Sequence, residues 1–270
     1  MCLIAFAWKT HPDYPLIVAA NRDEWRARPT AAAHWWTDAP HILAGRDLEA
    51  GGTWLGVTRN GRFAALTNFR DPSDKKPGAP SRGELVRAFL DSNDAPVPFL
   101  ADLRSRAQRY AGFNLLVSDG ESLACYHQRE DALLPVPPGI HALSNHSLNE
   151  PWPKVERAKS LIGEAIGTFS AQTPRQPLSF DSLTEVLSDT SRPADDALAN
   201  TGVGLEWERV LSPILIAGEK YGTRSSTLLS MHRSGEVQLR ESTRDETGAT
   251  SSSVDFSFDL KDARREAAAQ

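Results

Sequence analysis

Cys2 is the residue in this sequence with the most evident chemistry, because it directly follows the initiator methionine and opens an apolar run. If Met1 is removed, one residue carries both a thiol and a free α-amine. A thiol with a pKa of about 8.5 is mostly protonated at neutral pH, whereas an α-amine with a pKa of about 8 is partly unprotonated and can accept the thiol proton. Cys2 is therefore a candidate nucleophile with its own general base. The alternative is a small apolar residue buried in a strand, which is common for unpaired cysteine.

Four consecutive polar residues follow the second apolar run of the chain. Residues 16–20 have the pattern of a strand that pairs with the run opening at Cys2, and residues 9–15 form the turn. This hairpin returns the polar residues to the neighbourhood of Cys2, where the Asp23 carboxylate would hold a free α-amine by accepting a charge-assisted bond from it. The alternative is a turn with ordinary surface ion pairs. We assign ligand binding to the residues that flank the aspartate, namely Asn21, Arg22 and Glu24.

Two asparagines and one arginine complete the candidate site. Asn68 and Asn145 each end a strand-like run. A side-chain amide aimed at an acyl oxygen stabilises the developing anion, and one such donor is worth roughly 10²–10³ in rate. Arg224 would lower the thiol pKa and neutralise the same anion. The alternatives are turn-forming asparagines and a solvated arginine. The predicted catalytic residues are therefore Cys2, Asp23, Asn68, Asn145 and Arg224.

Composition excludes several classes of protein. Hydrophobic residues make up 40% of the 270-residue chain and charged residues 24%, which is ordinary for a globular protein. The net charge of -5 and the lack of a Lys/Arg-rich run argue against nucleic-acid binding. No run approaches the ~18 apolar residues of a membrane-spanning helix, and the N-terminus does not match a signal peptide. With only two cysteines, Cys2 and Cys125, we expect a reducing, cytoplasmic protein without a disulfide framework. Metal-binding motifs such as HExxH and CxxC are absent from the sequence, so no metal site is predicted.

Antiparallel hairpins and a central block of helices organise the rest of the chain. Asn60-Gly61 predicts a type I′ turn between two strands. Ser81 and Glu84 have the spacing of a capping box that would begin a helix. Residues 26–40 and 188–208 are expected to be irregular connections. No repeat or linker divides the chain, so we predict a single α+β domain over residues 1–270, with a frayed tail at 261–270.

Short motifs along nearly the whole chain resemble those of the NRDE family, also called the transport-and-Golgi-organisation family, member two. They occur here in the family's order. The motifs are MCLI at 1–4, LIVAANRDEWRARP at 16–29, GGTWLG at 51–56, ALTN at 65–68, SRGE at 81–84, GFNL at 112–115, LSN at 143–145, PW at 151–152 and YGTR at 221–224.

That family in turn resembles the N-terminal nucleophile hydrolases, closest to the cholylglycine hydrolase and penicillin V acylase branch. The implied fold is a four-layered αββα sandwich of two antiparallel sheets. The bile-salt enzymes place an arginine three residues before the aspartate, where this chain has Ala20. The resemblance implies one role for each candidate residue: Cys2 as nucleophile, Asp23 as partner of its amine, Asn68 and Asn145 on the oxyanion side, and Arg224 beside the thiol.

The resemblance implies two alternative functions for the same cleft. The first is hydrolysis of a small-molecule acyl amide, or a related acyl bond, with no cofactor required. The family is also associated with intracellular haem trafficking, and lipid or acyl-coenzyme A handling is proposed for it, so the second is a carrier that holds haem or an acyl ligand. A third reading is an interaction protein with a silent cleft. None of these functions involves nucleic acid or a membrane span.

Overall fold

The computed structural model describes residues 2–74, 76–172 and 178–260. The tail at 261–270, which we expected to be frayed, lies outside the described residues. None of the helices in these ranges has both the length and the apolar character needed to cross a bilayer. The strands are β1 (Cys2–Trp8), β2 (Leu16–Trp25), β3 (Thr30–Trp35), β4 (Ile42–Asp47), β5 (Leu55–Thr58), β6 (Phe63–Asn68), β7 (Phe113–Ser118), β8 (Leu123–His127), β9 (Ala132–Pro135), β10 (Gly139–Leu143), β11 (Tyr221–Met231), β12 (Glu236–Arg244) and β13 (Thr250–Asp259). The α-helices are α1 (Gly83–Asp91), α2 (Pro96–Arg104), α3 (Pro153–Gln172), α4 (Asp181–Leu187) and α5 (Leu205–Leu211).

Two antiparallel sheets form the centre of the fold. Sheet A has the strand order β10-β1-β2-β11-β12-β13, and sheet B has the order β3-β4-β5-β6-β7-β8-β9. One hydrophobic core lies between the sheets, a second joins α1 and α2 to the outer face of sheet B, and a third joins α3 and α4 to the outer face of sheet A. The predicted four-layered αββα sandwich is confirmed.

β1 is apolar throughout because both of its faces are buried. Ile4 and Phe6 face the core between the sheets, whereas Leu3 and Ala5 pack in the core on the α3 side. A strand buried on both faces needs a continuous apolar run instead of a strict alternation. The pairing of β1 with β2 sets Cys2 opposite Arg22, at the end of sheet A where the site lies.

Two segments that we expected to be irregular contain regular elements. Within residues 26–40, the alanine-rich β3 pairs with β4, and the Ala33 backbone N–H donates to the buried Glu241 carboxylate at 2.7 Å. Pairing with β4 and this link between the sheets stabilise β3, because its alanine-rich sequence has a low intrinsic propensity for a strand. Residues 188–208 contain a short 3-10 helix and the beginning of α5. α5 carries Glu208 inward to a buried ion pair with Arg70.

Two local predictions were wrong in detail. α1 begins at Gly83, and Ser81 Oγ accepts the Gly83 N–H at 3.3 Å. Glu84 does not close a capping box, because its carboxylate accepts a hydrogen bond from the Tyr110 hydroxyl instead. The β5–β6 hairpin does turn at Asn60-Gly61, but only Gly61 has a positive φ, of 84°, so the turn is not type I′.

Two glycines in this fold should respond in opposite directions to the same substitution. A Cβ on Gly52 would lie 2.6 Å from the carbonyl carbon of Gly83, so Gly52→Ala must push a loop away from the start of α1. We expect a loss of about 1–3 kcal/mol in the free energy of unfolding. A Cβ on Gly167, in α3, would meet nothing within 4 Å, so Gly167→Ala should stabilise the protein by roughly 0.5–1 kcal/mol. Urea denaturation of both variants checks this, and equal effects would contradict the described packing.

Candidate active site

A cleft of about 540 Å³ opens at one end of the sandwich, with walls from both sheets and from the start of α1. Its lining is mainly polar and charged, and Trp54 and Leu66 are its larger apolar residues. Such a lining favours a polar or charged ligand group over a purely apolar one. The charged lining residues are Arg22, Asp23, Glu24, Arg28, Arg46, Asp47, Lys76, Arg82 and Glu241.

Cys2 lies in the wall of this cleft. Only 7% of the residue is exposed, and its carbonyl accepts a hydrogen bond from Ser144 Oγ at 3.1 Å. Burial raises the pKa of the Cys2 thiol, and the Asp23 carboxylate acts in the same direction, while Arg22 opposes both. The thiol therefore needs a base, and nearby positive charge, to become a nucleophile at neutral pH.

Asp23 is the first of the predicted partners that the structure brings to Cys2. It follows the strand position opposite Cys2, lines the same cleft, and is fully buried. Thr223 Oγ1, from the neighbouring β11, donates a hydrogen bond to its carboxylate at 2.7 Å. Burial raises the pKa of Asp23, and the positive charge of Lys154 opposes that rise.

The two asparagines occupy different layers of the site. Asn68 lines the cleft at the end of β6, and its side-chain amide makes no hydrogen bond to any residue that the structure describes. Asn145 is fully buried behind it, donating through Nδ2 to the Asn68 carbonyl at 2.9 Å. Asn68 is thus the amide available to a ligand in the cleft, and Asn145 holds the strand end that presents it.

Arg224 is not among the residues that line the cleft. Nη1 of its guanidinium donates to three carbonyls at the end of β2 and in the turn that follows, those of Trp25 at 3.0 Å, Arg26 at 2.9 Å and Arg28 at 3.1 Å. The pairing of β11 with β2 shifts register at this residue, which leaves Arg224 out of the regular alternation of the strand. Its described role is to hold the turn.

The three predicted ligand-binding residues also separate. Arg22 and Glu24 line the cleft. Asn21 alternates to the opposite face of β2, where its amide donates to the Leu187 and Ile214 carbonyls at 3.0 and 2.9 Å. Asn21 therefore ties sheet A to the end of α4 and to the loop after α5, because successive side chains of a strand point to opposite faces.

Two cationic residues near Cys2 were missed by sequence reasoning. Arg82 is half-buried, lines the cleft just before α1, and is close enough to Cys2 for their charges to interact. Lys154 is buried at the start of α3, where Nζ donates to the Leu211 carbonyl at 3.0 Å. Burial lowers the pKa of Lys154 to about 8, and the charge of Arg70 adds to this. The SRGE motif was a signal for Arg82, whereas nothing in the local sequence distinguishes Lys154.

A buried ion pair lies behind the site. Arg70 Nη1 and Glu208 Oε2 are 2.7 Å apart, and their side chains are 4% and 5% exposed. The Arg70 guanidinium also lies 4.7 Å from the centre of the Trp152 ring. A pair this buried needs close geometry and further partners to offset desolvation. Within the described ranges there is no group of three or more side chains able to hold a metal ion.

The two cysteines should react differently with thiol reagents. Cys2 lines an open cleft, whereas Cys125 is fully buried in the core between the sheets, and burial raises the pKa of its thiol strongly. We expect iodoacetamide to modify Cys2 in the folded protein, faster as pH rises, and to spare Cys125 until the protein unfolds. Peptide mass mapping checks the site, with Cys2→Ala and Cys125→Ala as matched controls. Preferential modification of Cys125 would contradict the structure.

Lys154 should make stability depend on pH in a defined window. Between pH of about 8 and 10.5, the unfolded chain holds a proton on this side chain that the folded protein has released, so the free energy of unfolding rises with pH. The rise, measured relative to Lys154→Met, should be on the order of 2–3 kcal/mol. Denaturant titrations at pH 7.5 to 10.5 measure it. Lys159→Met, on the same helix, controls for loss of a lysine, and an identical pH profile for the two variants would contradict the prediction.

Comparison with known proteins agrees with the fold and with the family resemblance. A solved structure, the mutant C2A conjugated bile acid hydrolase from Clostridium perfringens, matches with a TM-score of 0.51 and 8% identity over 97% of this chain and 93% of that one. At this identity the likeness shows the fold alone, which is that of the N-terminal nucleophile hydrolases.

Relatives at higher identity identify the family. The chain is 33% identical over 261 residues to the Transport and Golgi organization 2 homolog of Mus musculus, and 34% identical over 257 residues to the homologue of Homo sapiens. Both alignments cover 89% of this chain and 92% of the relative. The family model described as Transport and Golgi organisation 2 matches residues 1–246. This chain belongs to the Transport and Golgi organisation 2 family.

Proposed function

We propose that this protein is an N-terminal nucleophile hydrolase in which Cys2 attacks an acyl amide or a related acyl bond. The observation that carries the proposal is the position of Cys2 in the cleft wall, with Asp23 buried beside it and the amide of Asn68 available in the same cleft. These are three of the parts that amide hydrolysis needs: a nucleophile, an anchor for its base, and an oxyanion donor.

The reaction begins after removal of Met1. The α-amine of Cys2 takes the proton from Sγ, and the thiolate adds to the acyl carbonyl, forming the C–S bond. The Asn68 amide stabilises the oxyanion, and the protonated amine gives its proton to the leaving nitrogen as the C–N bond breaks. Water then attacks the thioester, with the amine again as base, and releases the acid and the free thiol. Asp23 orients the amine throughout.

Arg22 and Arg82 take the role that the sequence assigned to Arg224. Both line the cleft, and both interact electrostatically with Cys2. Positive charge at this distance favours the thiolate over the thiol. The buried Lys154 acts in the same way from behind Asp23.

A carrier of haem or of an acyl ligand is the second candidate. The side chains of Arg224 and Asn145, which we expected to be catalytic, both donate hydrogen bonds to backbone carbonyls instead. This observation favours a carrier, because the catalytic set is then incomplete. The donor types suit haem: a cysteine thiolate can ligate its iron, and guanidiniums such as Arg22 and Arg82 pair with carboxylates. No histidine is among the described lining residues. In this function the cleft holds its ligand and no bond of the ligand is broken.

Replacement of Cys2 separates the two functions. For the hydrolase, we expect Cys2→Ala and Cys2→Ser to lower turnover of acyl amides by roughly 10³-fold or more, because a nucleophile is lost or weakened. Cys125→Ala is the matched control and should keep activity. The measurement is a screen of acyl amides, accompanied by intact-protein mass to establish whether Met1 is removed. Activity that survives in Cys2→Ala, or a mature chain that retains Met1, would refute the hydrolase.

For the carrier, the same Cys2 variants should show little change in affinity for an acyl ligand. Titration of haem into the reduced wild-type protein, followed by absorbance, provides the direct measurement. Absence of binding by haem and by long-chain acyl compounds would exclude the carrier function. Turnover by the wild-type protein that is lost in Cys2→Ala would favour the hydrolase over it.

A further inference from the structure

We propose that Arg22 and Arg82 form an anion-binding pair against Cys2, so that the cleft selects acyl substrates that carry a carboxylate close to the scissile bond. This inference rests on the proposed hydrolase function and specifies its substrate class. The observation that supports it is that the two guanidiniums make fewer or weaker hydrogen bonds and ion pairs than the other basic side chains in the cleft.

Arg22 is a buried guanidinium with no carboxylate at hydrogen-bonding distance among the described residues. Its side chain is 8% exposed, and its nearest carboxylate oxygens are those of Glu24 at 3.6 Å and Asp47 at 3.9 Å. Its hydrogen bond, to Thr30 Oγ1, is 3.5 Å long. Charge-assisted bonds from a guanidinium to a carboxylate are normally about 2.7–2.9 Å long, so the five N–H donors of Arg22 are held without strong acceptors.

Arg82, directly before α1, also has no carboxylate at hydrogen-bonding distance among the described residues. Nη1 donates to the Gly112 carbonyl at 3.0 Å, and no carboxylate of the described chain lies within ion-pair distance of the guanidinium. Arg82 and Arg22 line the same cleft as Cys2, and the charges of both interact with the cysteine. Two incompletely bonded guanidiniums therefore face one space next to the nucleophile.

The other basic residues of the cleft already have partners at hydrogen-bonding distance within the protein. Arg28 pairs with Asp47 at 2.6 Å, and Arg46 pairs with Asp38 at 2.6 Å. Lys76 Nζ donates to two backbone carbonyls, at 2.9 and 3.0 Å. Positive charge is present throughout the cleft, but among its described lining residues the guanidiniums without a carboxylate at hydrogen-bonding distance are those of Arg22 and Arg82.

The acidic residues of the cleft do not cancel this pair. Asp23 accepts from Thr223, and Glu241 accepts from the Ala33 N–H, so each carboxylate is used within the protein. Burial raises the pKa of both Asp23 and Glu241. Glu24 and Asp47 remain 3.6 and 3.9 Å from Arg22 and are the acidic side chains with which an entering anion must share it.

Selectivity for a carboxylate follows from the free-energy cost of leaving guanidinium N–H donors without acceptors once a ligand fills the cleft. A substrate carboxylate would replace the water around Arg22 and Arg82 with charge-assisted bonds. An uncharged analogue of the same shape would exclude that water and supply no acceptor. A site that binds a carboxylate therefore discriminates strongly against an analogue that lacks it. The inferred substrates are therefore acyl amides or related acyl compounds with a free carboxylate near the reacting carbonyl.

Alkylation of Cys2 tests this inference without any turnover. The rates of iodoacetate and iodoacetamide with Cys2 are measured in the full-length protein, and their ratio is compared with the ratio for N-acetylcysteine. Both reagents consume the same thiolate, so a change in the thiol pKa cancels in the ratio. The wild-type ratio should exceed the reference, and Arg22→Gln and Arg82→Gln should each lower it roughly fourfold, as expected for one unit charge about 5 Å away in a water-like medium.

Two further variants make the result specific. Arg46→Gln removes the same formal charge from the same cleft, but this arginine already has its carboxylate, so the ratio should change by less than about twofold. Arg22→Lys keeps the charge and should retain most of the preference. A wild-type ratio equal to the reference, equal effects of Arg46→Gln and Arg22→Gln, or a Cys2 that reacts with neither reagent would overturn the proposal. Since no substrate is turned over, these outcomes are independent of whether the hydrolase proposal holds.

Discussion

The antiparallel pairing of β1 with β2 is the interaction on which the candidate site depends. It sets Cys2 opposite Arg22 and places Asp23 next along the same strand. Side chains alternate between the faces of a strand, so a shift of one residue would turn Cys2 away from the cleft and toward the helices. The apolar residues that precede the site prevent such a shift, because Ile4 and Phe6 must stay in the core between the sheets.

Charge is concentrated at this end of the sandwich, where a core would ordinarily be apolar. Arg70 and Glu208 form a buried pair, and Lys154 lies buried near Asp23 with its pKa lowered by that burial. Groups of this kind cost stability unless they are bonded to one another. Their grouping behind Cys2 is the pattern expected where a fold holds reactive groups in defined protonation states.

The cleft and its rear wall perform different tasks. Asn68 and Arg82 face the space that a ligand would enter, whereas Asn145 and Arg224 bond to backbone carbonyls and hold the strand ends and turns in place. A family resemblance assigns roles to residues one at a time and does not distinguish a side chain that contacts a ligand from one that positions its neighbour. The fold is shared with the N-terminal nucleophile hydrolases, and the bonding of each side chain decides what that fold can do here.

The amino-acid sequence by itself determined the layered α+β fold, the β1–β2 hairpin and the meeting of Cys2 with Asp23. These features follow from local signals, namely apolar runs, turn residues and a polar cluster at a strand end. Only the tertiary structure decided which distant groups join them. The charge of Lys154 acts on Asp23 across the boundary between α3 and sheet A, and Arg224 lies where the strand register shifts. Such positions depend on how separate helices and strands pack together, and the neighbouring residues in the sequence do not predict that packing.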